Sequence, residues 1–444
     1  MTKLPVEFTD TTRQLMGDER FERYLQSFEE EAPVSIRLNP KKSTEVRGER
    51  LEVRGEEPVP WCRNGFYLKQ RPNFTFDPLF HAGCYYVQEA ASMFLDEVLR
   101  QAEANSLCNR VAVANSSLFT LHSSLKFSSL NCLDLCAAPG GKSTLLRAAL
   151  PDDCVLYSNE PVRNRASILL ENVEKWGYEN HIVTNAYPRD YRKAKMKFDL
   201  ILCDVPCSGE GMFRKDPATI GEWSPGQVEK CWQLQREIVS DAWACLNDGG
   251  LLIYSTCTFN TKENEENIRW MLSEFGDAEV LKIDTKPEWN ITGSLLEGFS
   301  EPVYRFIPGI TRSEGLFLCA LRKNGAASPY PPPSREGTSV HTLHPSHNQR
   351  DCSRDLHPLT SDIRHQTSDI KVSLSYTEAI AYLRGEALAL PADTPRGIVE
   401  VCFMGHPLGP VKNIGSRANN LYPKPWRIKT THIPTDYEAI LRHT

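Results

Sequence analysis

Two cysteines stand where a nucleophile would be useful. One lies in Leu200-Ile-Leu-Cys-Asp204-Val-Pro206-Cys207-Ser-Gly-Glu-Gly211 and the other in Leu251-Leu-Ile-Tyr-Ser-Thr256-Cys257-Thr258. Each follows an apolar run that reads as a strand, at the carboxyl end where open α/β sheets bind ligands. Buried cysteine is common as plain packing. Two of them on that edge, both in small, polar, turn-like settings, point instead to thiolate chemistry. No Cys-x-x-Cys pair occurs, so a zinc site is not expected, and no metal is.

A thiolate at such an edge needs something to act on and something to act with. The stretch Asn131–Ser143 supplies the second: a short apolar run, the turn Ala137-Ala-Pro-Gly-Gly141, then a helical pattern from Lys142 to Leu150. Strand, glycine loop and helix in succession are how doubly wound sheets hold a nucleotide-like cofactor. An acid is then due about 20 residues on to bind a ribose, and Val155-Leu-Tyr-Ser-Asn159 ends at Glu160. A P-loop nucleotidase is a rival reading of Gly-Gly-Lys-Ser, but its first glycine would fall at Cys136. A structural turn without ligand is the other.

Strands are expected at 132–136, 154–159, 181–184, 198–204 and 250–255, with helices between them, including Gln227–Leu246. That alternation is a parallel α/β sheet. Ala278–Ile283 and Glu314–Leu321 should add its final strands. Ahead of it, Asp10–Glu31 reads as an exposed helical lead-in. Pro33–Asn39 and Gly65–Lys69 read as strands of a small α+β module. Gln88, Glu89 and Ser92 form a polar cluster at a helix start running through Leu99. Residues 104–129 are rich in Ser and Asn and read as an insertion, and Lys323–Ser368 as a disordered linker. The domain limits expected are 1–75, 76–322, 323–370 and 371–444.

The last unit has a helix over Tyr376–Leu390 and a strand over Gly397–Met404. No acid occurs between Glu400 and Asp436, whereas Lys412, Arg417, Lys424, Arg427 and Lys429 supply positive charge. Tyr422 and Trp426 are interleaved with them. Basic side chains with aromatics suit a phosphate backbone with accessible bases; a solvated basic face is the plainer alternative. The whole chain has 444 residues, 40% hydrophobic and 24% charged, with net charge −6. A nucleic-acid surface must therefore be local. No run is long enough to span a membrane, and the N-terminus lacks a signal peptide's apolar segment. A cytoplasmic protein with reduced cysteines is expected.

A cysteine facing a pyrimidine beside a methyl donor has a definite use. C5 of cytosine is a poor nucleophile, and thiolate addition at C6 makes it enamine-like. The addition needs N3 protonated or hydrogen-bonded, which suits an acid such as Asp204. A base must then remove the C5 proton. Lys142 or a helix N-terminus nearby would keep a thiolate available. Residue chemistry alone does not say which cysteine attacks.

Cys136-Ala-Ala-Pro-Gly-Gly-Lys-Ser143, Asp204-Val-Pro-Cys-Ser-Gly-Glu-Gly211 and Ser255-Thr-Cys-Thr258, in this order and spacing, resemble the motifs of the RNA (cytosine-5)-methyltransferase family, which includes bacterial Rsm enzymes and Nop/Sun proteins. The likeness covers about residues 33–322. The tail Pro407–Pro423 with Trp426-Arg-Ile is similar to the RNA-binding end of the RsmF-like bacterial branch. The resemblance implies a Rossmann-like methyltransferase sheet flanked by an N-terminal α+β module and a C-terminal α+β RNA-binding domain. It implies Cys257 as nucleophile, Cys207 as release group, and Asp204 with the Pro206 carbonyl reading the cytosine edge. Ala137, Ala138, Pro139, Gly140, Gly141, Lys142 and Ser143 would hold S-adenosylmethionine, with Glu160 on its ribose and Asp204 close by. Gly209-Glu-Gly-Met-Phe-Arg-Lys-Asp-Pro217 would be a loop over the RNA side.

One position departs from the family's pattern. An acid contacting the adenine is usual after the third strand, and Tyr187 falls there, with Asn185 the nearest substitute. RNA, most specifically 16S ribosomal RNA or the small subunit, is the expected partner, and the chain is expected to act as a monomer. The same chemistry on tRNA and a non-catalytic RNA-binding assembly factor are the rival functions.

Overall fold

Short apolar runs alternating with amphipathic helices must pair as parallel strands with helical crossovers. The structure is a computed structural model that describes residues 3–43, 51–53, 57–102, 130–325, 358–359, 369–430, 437 and 439–443. The stretch read as an insertion, 104–129, lies outside the described residues.

Helices α1 (Val6–Met16) and α2 (Asp18–Gln26) come first. They are not an exposed lead-in. Phe8, Phe21 and Tyr24 are buried and pack with Phe213, Phe259 and Ile307. Charge on the outer faces masked a narrow apolar stripe facing inward. Strands β1 (Val34–Leu38), β2 (Glu57–Pro58), β3 (Gly65–Leu68) and, after helix α3 (Pro78–His81), β4 (Tyr85–Val87) form an antiparallel sheet in the order β2-β3-β1-β4.

The central sheet has five parallel strands: β5 (Asn131–Asp134), β6 (Val155–Asn159), β7 (His181–Thr184), β8 (Phe198–Asp204) and β9 (Leu246–Thr256). Helices α4 (Gly141–Ala149), α5 (Arg163–Trp176) and α6 (Pro225–Cys245) serve the crossovers, and α7 (Glu265–Glu274) follows β9. Spatial order is β9-β8-β5-β6-β7. The chain leaves β5 toward β6 and returns on its other side at β8. The loops after β5 and β8 therefore part, and that switch point is where such sheets take a ligand. Strands β10 (Ala278–Leu281), β11 (Tyr304–Phe306) and β12 (Leu316–Lys323) extend the β9 side antiparallel.

Of the stretch read as a disordered linker, 323–325 and 358–359 are described, and the rest lies outside the described residues. Lys323 closes β12, and Pro358–Leu359 form a short strand, β13, antiparallel to β7 at the far edge. Leu359 packs against Leu169, Val173 and Val183 there, an apolar contact that the surrounding Pro, Ser and His composition concealed.

Beyond it, β14 (Lys371–Ser373), β15 (Gly397–Phe403), β16 (His406–Asn413) and β17 (Ala418–Asn420) make a second four-stranded sheet, with helix α8 (Tyr376–Leu383) between β14 and β15. The helix read through Leu390 ends at Leu383. Gly385 takes φ 87°, and the Glu386 N–H closes back on Ala381 O, a left-handed stop. Leu388 then enters the core beside Ala418 in extended form. One apolar cluster joins Ile36, Leu38 and Tyr85 to Ile380, Val399 and Val411, so the first and last sheets share a core. Tyr376 Oη donates to Phe76 O at 3.2 Å across that junction, and Tyr437 Oη to Asp77 Oδ1 at 3.1 Å.

Candidate active site

The loop after β5 is built for close approach. Gly140 takes φ 117°, where a side chain would also press on Leu169 at 3.2 Å. The Ala138–Pro139 peptide is cis. The first turn of α4 has N–H groups without partners inside the helix. Ala137 is anchored by its own N–H to Asn159 O at 2.8 Å, and Pro139 O accepts Asn172 Nδ2 at 2.8 Å.

Beneath the loop lies an acid that sequence reasoning passed over. Asp134 is fully buried; its Oδ2 accepts the Ser143 hydroxyl at 2.5 Å and its Oδ1 has no partner among the described residues. Burial raises its carboxyl to about 7, with the charge of Asp204 adding to the effect. Ser143 therefore turns inward, and its side chain serves Asp134 rather than facing a ligand. An orphaned buried carboxylate oxygen beside a glycine-walled loop suits a ligand that brings a cation.

Glu160 closes β6 and is 1% exposed. It accepts the Val162 N–H at 3.0 Å and pairs with Arg165, which also donates to Ala138 O at 3.1 Å. The acid is thus tied to the glycine loop. Asn185 directs its amide at Glu160 O and Pro161 O, at 2.7 and 2.9 Å, so it shapes the turn after Glu160. Tyr187 is 56% exposed, with Arg189 5.1 Å from its ring centroid.

At the switch point Lys142 Nζ lies 2.9 Å from Asp204 Oδ2, while Asp204 Oδ1 accepts Ser255 Oγ at 2.6 Å. Burial acts to lower the Lys142 pKa, but the Asp204 carboxylate and the neighbouring Cys257 outweigh it and the net shift is upward. Cys207 and Cys257, both half-buried, place their Sγ atoms 3.1 Å apart. The Cys257 N–H also points to Cys207 Sγ, at 3.3 Å. The hydrogen bond to Cys257, with burial added, holds the Cys207 thiol well above its usual range. The two thiols share one hydrogen bond, in which either sulfur can donate.

Two acids brace the cysteine loops against each other. Glu210 accepts the N–H groups of Phe259 and Asn260 at 2.8 and 2.9 Å. Glu263 accepts the Ser208 N–H at 3.1 Å, Gln235 Nε2 at 2.7 Å and Asn260 Nδ2 at 2.8 Å. Gln235 also donates to the Pro206 carbonyl at 2.8 Å, which occupies one of its lone pairs. A side chain at Gly211 would meet Gly315 Cα at 2.7 Å and Cys257 O at 2.8 Å, so that glycine is obligatory. Glu210 stood in plain view between two glycines. Glu263 and Gln235 carried no local signal, because their partners come from distant segments, and the role of Ser255 as a partner of Asp204 was not legible in its motif.

The 209–217 loop is less open than expected. Phe213 is buried, and Arg214 forms a buried ion pair with Glu314 at 2.9 Å; Lys215 and Asp216 are exposed. In the tail, Lys412, Arg417, Lys424 and Lys429 are exposed. Tyr422 is not available for stacking: it is 3% exposed and packs on Tyr382. Arg427 lies over Gly385 and donates to Tyr422 O, which makes it a core clamp. Trp426 is half-buried against the same cluster.

The family model described as 16S rRNA methyltransferase RsmB/F matches residues 127–322. The N-terminal domain of 16S rRNA methyltransferase RsmF matches 4–90, and the methyltransferase RsmF PUA domain matches 370–428. The ribosomal RNA small subunit methyltransferase F of Pectobacterium atrosepticum is 33% identical over 342 residues, covering 74% of this chain and 65% of that protein. The protein of the same name from Erwinia tasmaniensis is 26% identical, covering 95% and 96%. Among solved structures, a methyltransferase homologue protein from Pyrococcus horikoshii has TM-score 0.53 at 25% identity, covering 72% of this chain and all of that one. NSun6 from the same organism, solved with SFG, shares the fold at TM-score 0.54 and 19% identity, covering 72% and 98%. Three matched stretches thus run in order over the N-terminal sheet, the central sheet and the C-terminal sheet, and the chain belongs to the RsmB/F family of 16S rRNA methyltransferases.

Proposed function

We propose that the chain methylates C5 of a cytosine in RNA, with 16S ribosomal RNA as substrate and S-adenosylmethionine as donor. The observation that carries this reading is the pair of thiols 3.1 Å apart beside the Lys142–Asp204 pair at the switch point. S-adenosylmethionine supplies an electrophilic methyl group and brings cationic groups, which suits the orphaned Asp134 oxygen and the Gly140 cradle. Ala137 to Lys142 and Glu160 are the residues proposed to hold it.

Cys257 adds through Sγ to C6 of the cytosine, and Asp204, braced by Lys142 and Ser255, hydrogen-bonds the base edge. C5 gains electron density and takes the methyl group. Water takes the C5 proton, the electron pair of that C–H bond restores the C5–C6 double bond, and the C6–S bond breaks to return the Cys257 thiolate. Cys207, as a thiol held against Cys257, is the group placed to assist that release. A base within a helix must be flipped out first.

A cleft of about 910 Å³ between the N-terminal sheet and the Arg214–Lys215 turn, with Glu30, Glu31, Glu89 and Glu314 also in its lining, supports an RNA path. Lys69 and Arg71 line it from the N-terminal sheet, Lys215 and Arg312 from the catalytic side. Residues 1–75 and 371–444 are proposed to position RNA around residues 76–322. Their support is the shared core of the first and last sheets and the exposed Lys412, Arg417 and Lys424. A cytoplasmic location goes with an rRNA substrate. Among the described residues no helix is long and apolar enough to cross a membrane.

The test is incubation with 16S rRNA and methyl-labelled S-adenosylmethionine, followed by nucleoside mass spectrometry. Label in 5-methylcytidine is expected. Label in another nucleoside, or none, contradicts the reading.

A further inference from the structure

The N-terminal sheet touches the cofactor loop directly. Arg37, in β1, is 2% exposed. Its Nε donates to Gln88 Oε1 at 2.7 Å. Its Nη2 donates to the Gly141 carbonyl at 3.2 Å and to Thr144 Oγ1 at 2.6 Å. The guanidinium carbon stands 4.5 Å from the ring centroid of Trp176. Burial lowers the group to about 10, so it stays charged at neutral pH. Tyr86, in β4, backs the same place: a side chain on Gly141 would meet its ring at 3.3 Å.

These three hydrogen-bond acceptors are all neutral. Burying a cation on neutral partners is an expensive way to fill a core, which an apolar side chain would do with less desolvation. What the arginine does offer is a rigid planar fork that two acceptors can share. Gly141 and Thr144 bracket Lys142 in the first turn of α4, and Lys142 reaches Asp204 at 2.9 Å. The charged and titratable groups around that lysine are Asp204 from β8, Asp134 from β5 and Cys257 after β9. Cys207 stands 3.1 Å from Cys257, and the charge of Glu263 acts on Cys207.

We infer that Arg37 is a positioning residue of the methyl-transfer centre: through Gly141 and Thr144 it fixes the start of α4 so that Lys142 meets Asp204 and favours the thiolate of Cys257. The sheet that the RNA is proposed to meet is thereby also part of the scaffold that activates the nucleophile. This rests on the reading of Cys257 as the attacking group.

Alkylation by iodoacetamide across a pH series tests it without RNA or cofactor, with the modified cysteine identified by peptide mass spectrometry. Full-length parent, Arg37→Lys and Thr144→Val are compared, and thermal melting reports whether each is folded. Lysine keeps the charge but loses the fork. In Arg37→Lys the rate of Cys257 alkylation at neutral pH should fall about tenfold. Thr144→Val should lower that rate by less, and it carries the test if Arg37→Lys fails to fold. Folded variants whose Cys257 profiles match the parent overturn the inference. A parent whose Cys257 reacts no faster than a free cysteine at neutral pH overturns the nucleophile reading, and the inference with it.

Discussion

Cys207 and Cys257 are 50 positions apart in the chain, yet their Sγ atoms approach to 3.1 Å. The approach is enforced by an exchange of acids. Glu210 from the first loop satisfies two N–H groups of the second, and Glu263 from the second satisfies Ser208 of the first. Neither loop can shift without leaving a buried partner unmade.

Glu263→Gln tests that brace. The amide keeps one acceptor but turns an NH₂ toward donors from Ser208, Gln235 or Asn260. An unsatisfied buried group of this kind costs about 1–3 kcal/mol, so urea unfolding should show a loss of that order. Methyl transfer should fall while S-adenosylmethionine affinity stays near the parent's, because the glycine loop is untouched. Unchanged stability and activity would mean the loops hold their places by other contacts.

The same closeness makes the pair sensitive to oxidation. Peroxide should take two electrons and two protons from the thiols, giving one disulfide and two waters. Activity should be lost on peroxide treatment and return with a dithiol reductant, and peptide mapping should find Cys207 joined to Cys257. Inactivation that the reductant does not reverse, or a disulfide elsewhere, would contradict this.

Asp134 predicts an unusual pH dependence. Its folded carboxyl is raised to about 7, above the ordinary aspartate value near 3.9. The folded state therefore holds that proton more tightly than the unfolded chain. Its contribution is complete below the ordinary range and is lost as pH rises through about 7. Asp134→Asn removes the dependence, so the variant should gain stability on the parent between pH 5 and 8 in urea titrations without cofactor. It should also bind S-adenosylmethionine more weakly. A stability difference that stays constant across that range would refute the assignment.

Exposed cations of the tail carry a separate prediction. Replacing Lys412, Arg417 and Lys424 together by Ala should weaken RNA binding and flatten its salt dependence. Three lost phosphate contacts on single-stranded RNA correspond to a change in log–log slope of about 2. S-adenosylmethionine binding should not change. An unaltered slope would leave these residues as a solvated basic face.

What the sequence disclosed follows from how local each signal was. Strands β5 to β9 announced themselves as apolar runs between turn residues, and the cysteine and glycine motifs named their own edges. Phe8, Phe21 and Tyr24 were hidden because charged neighbours dominate α1 and α2, and the partners that bury them, Phe213 and Phe259, lie far along the chain. Tyr422 looked like a stacking platform because its neighbours are basic; Tyr382, which covers it, lies 40 positions upstream. Gly385 ends the helix just past Leu383, while the apolar Ala387–Leu390 run imitates a continuing face in the sequence. Glu263, Gln235 and Asp134 are polar groups whose meaning is their burial, and burial was not readable until the sheet was assembled.

The most direct test of the central claim is a denaturing gel of parent, Cys207→Ala and Cys257→Ala proteins expressed in cells and probed for attached RNA. With Cys257 attacking and Cys207 aiding release, a nuclease-sensitive upshift should appear in Cys207→Ala alone. An upshift confined to Cys257→Ala would exchange the two roles, and no upshift in any lane would contradict a covalent route through this pair.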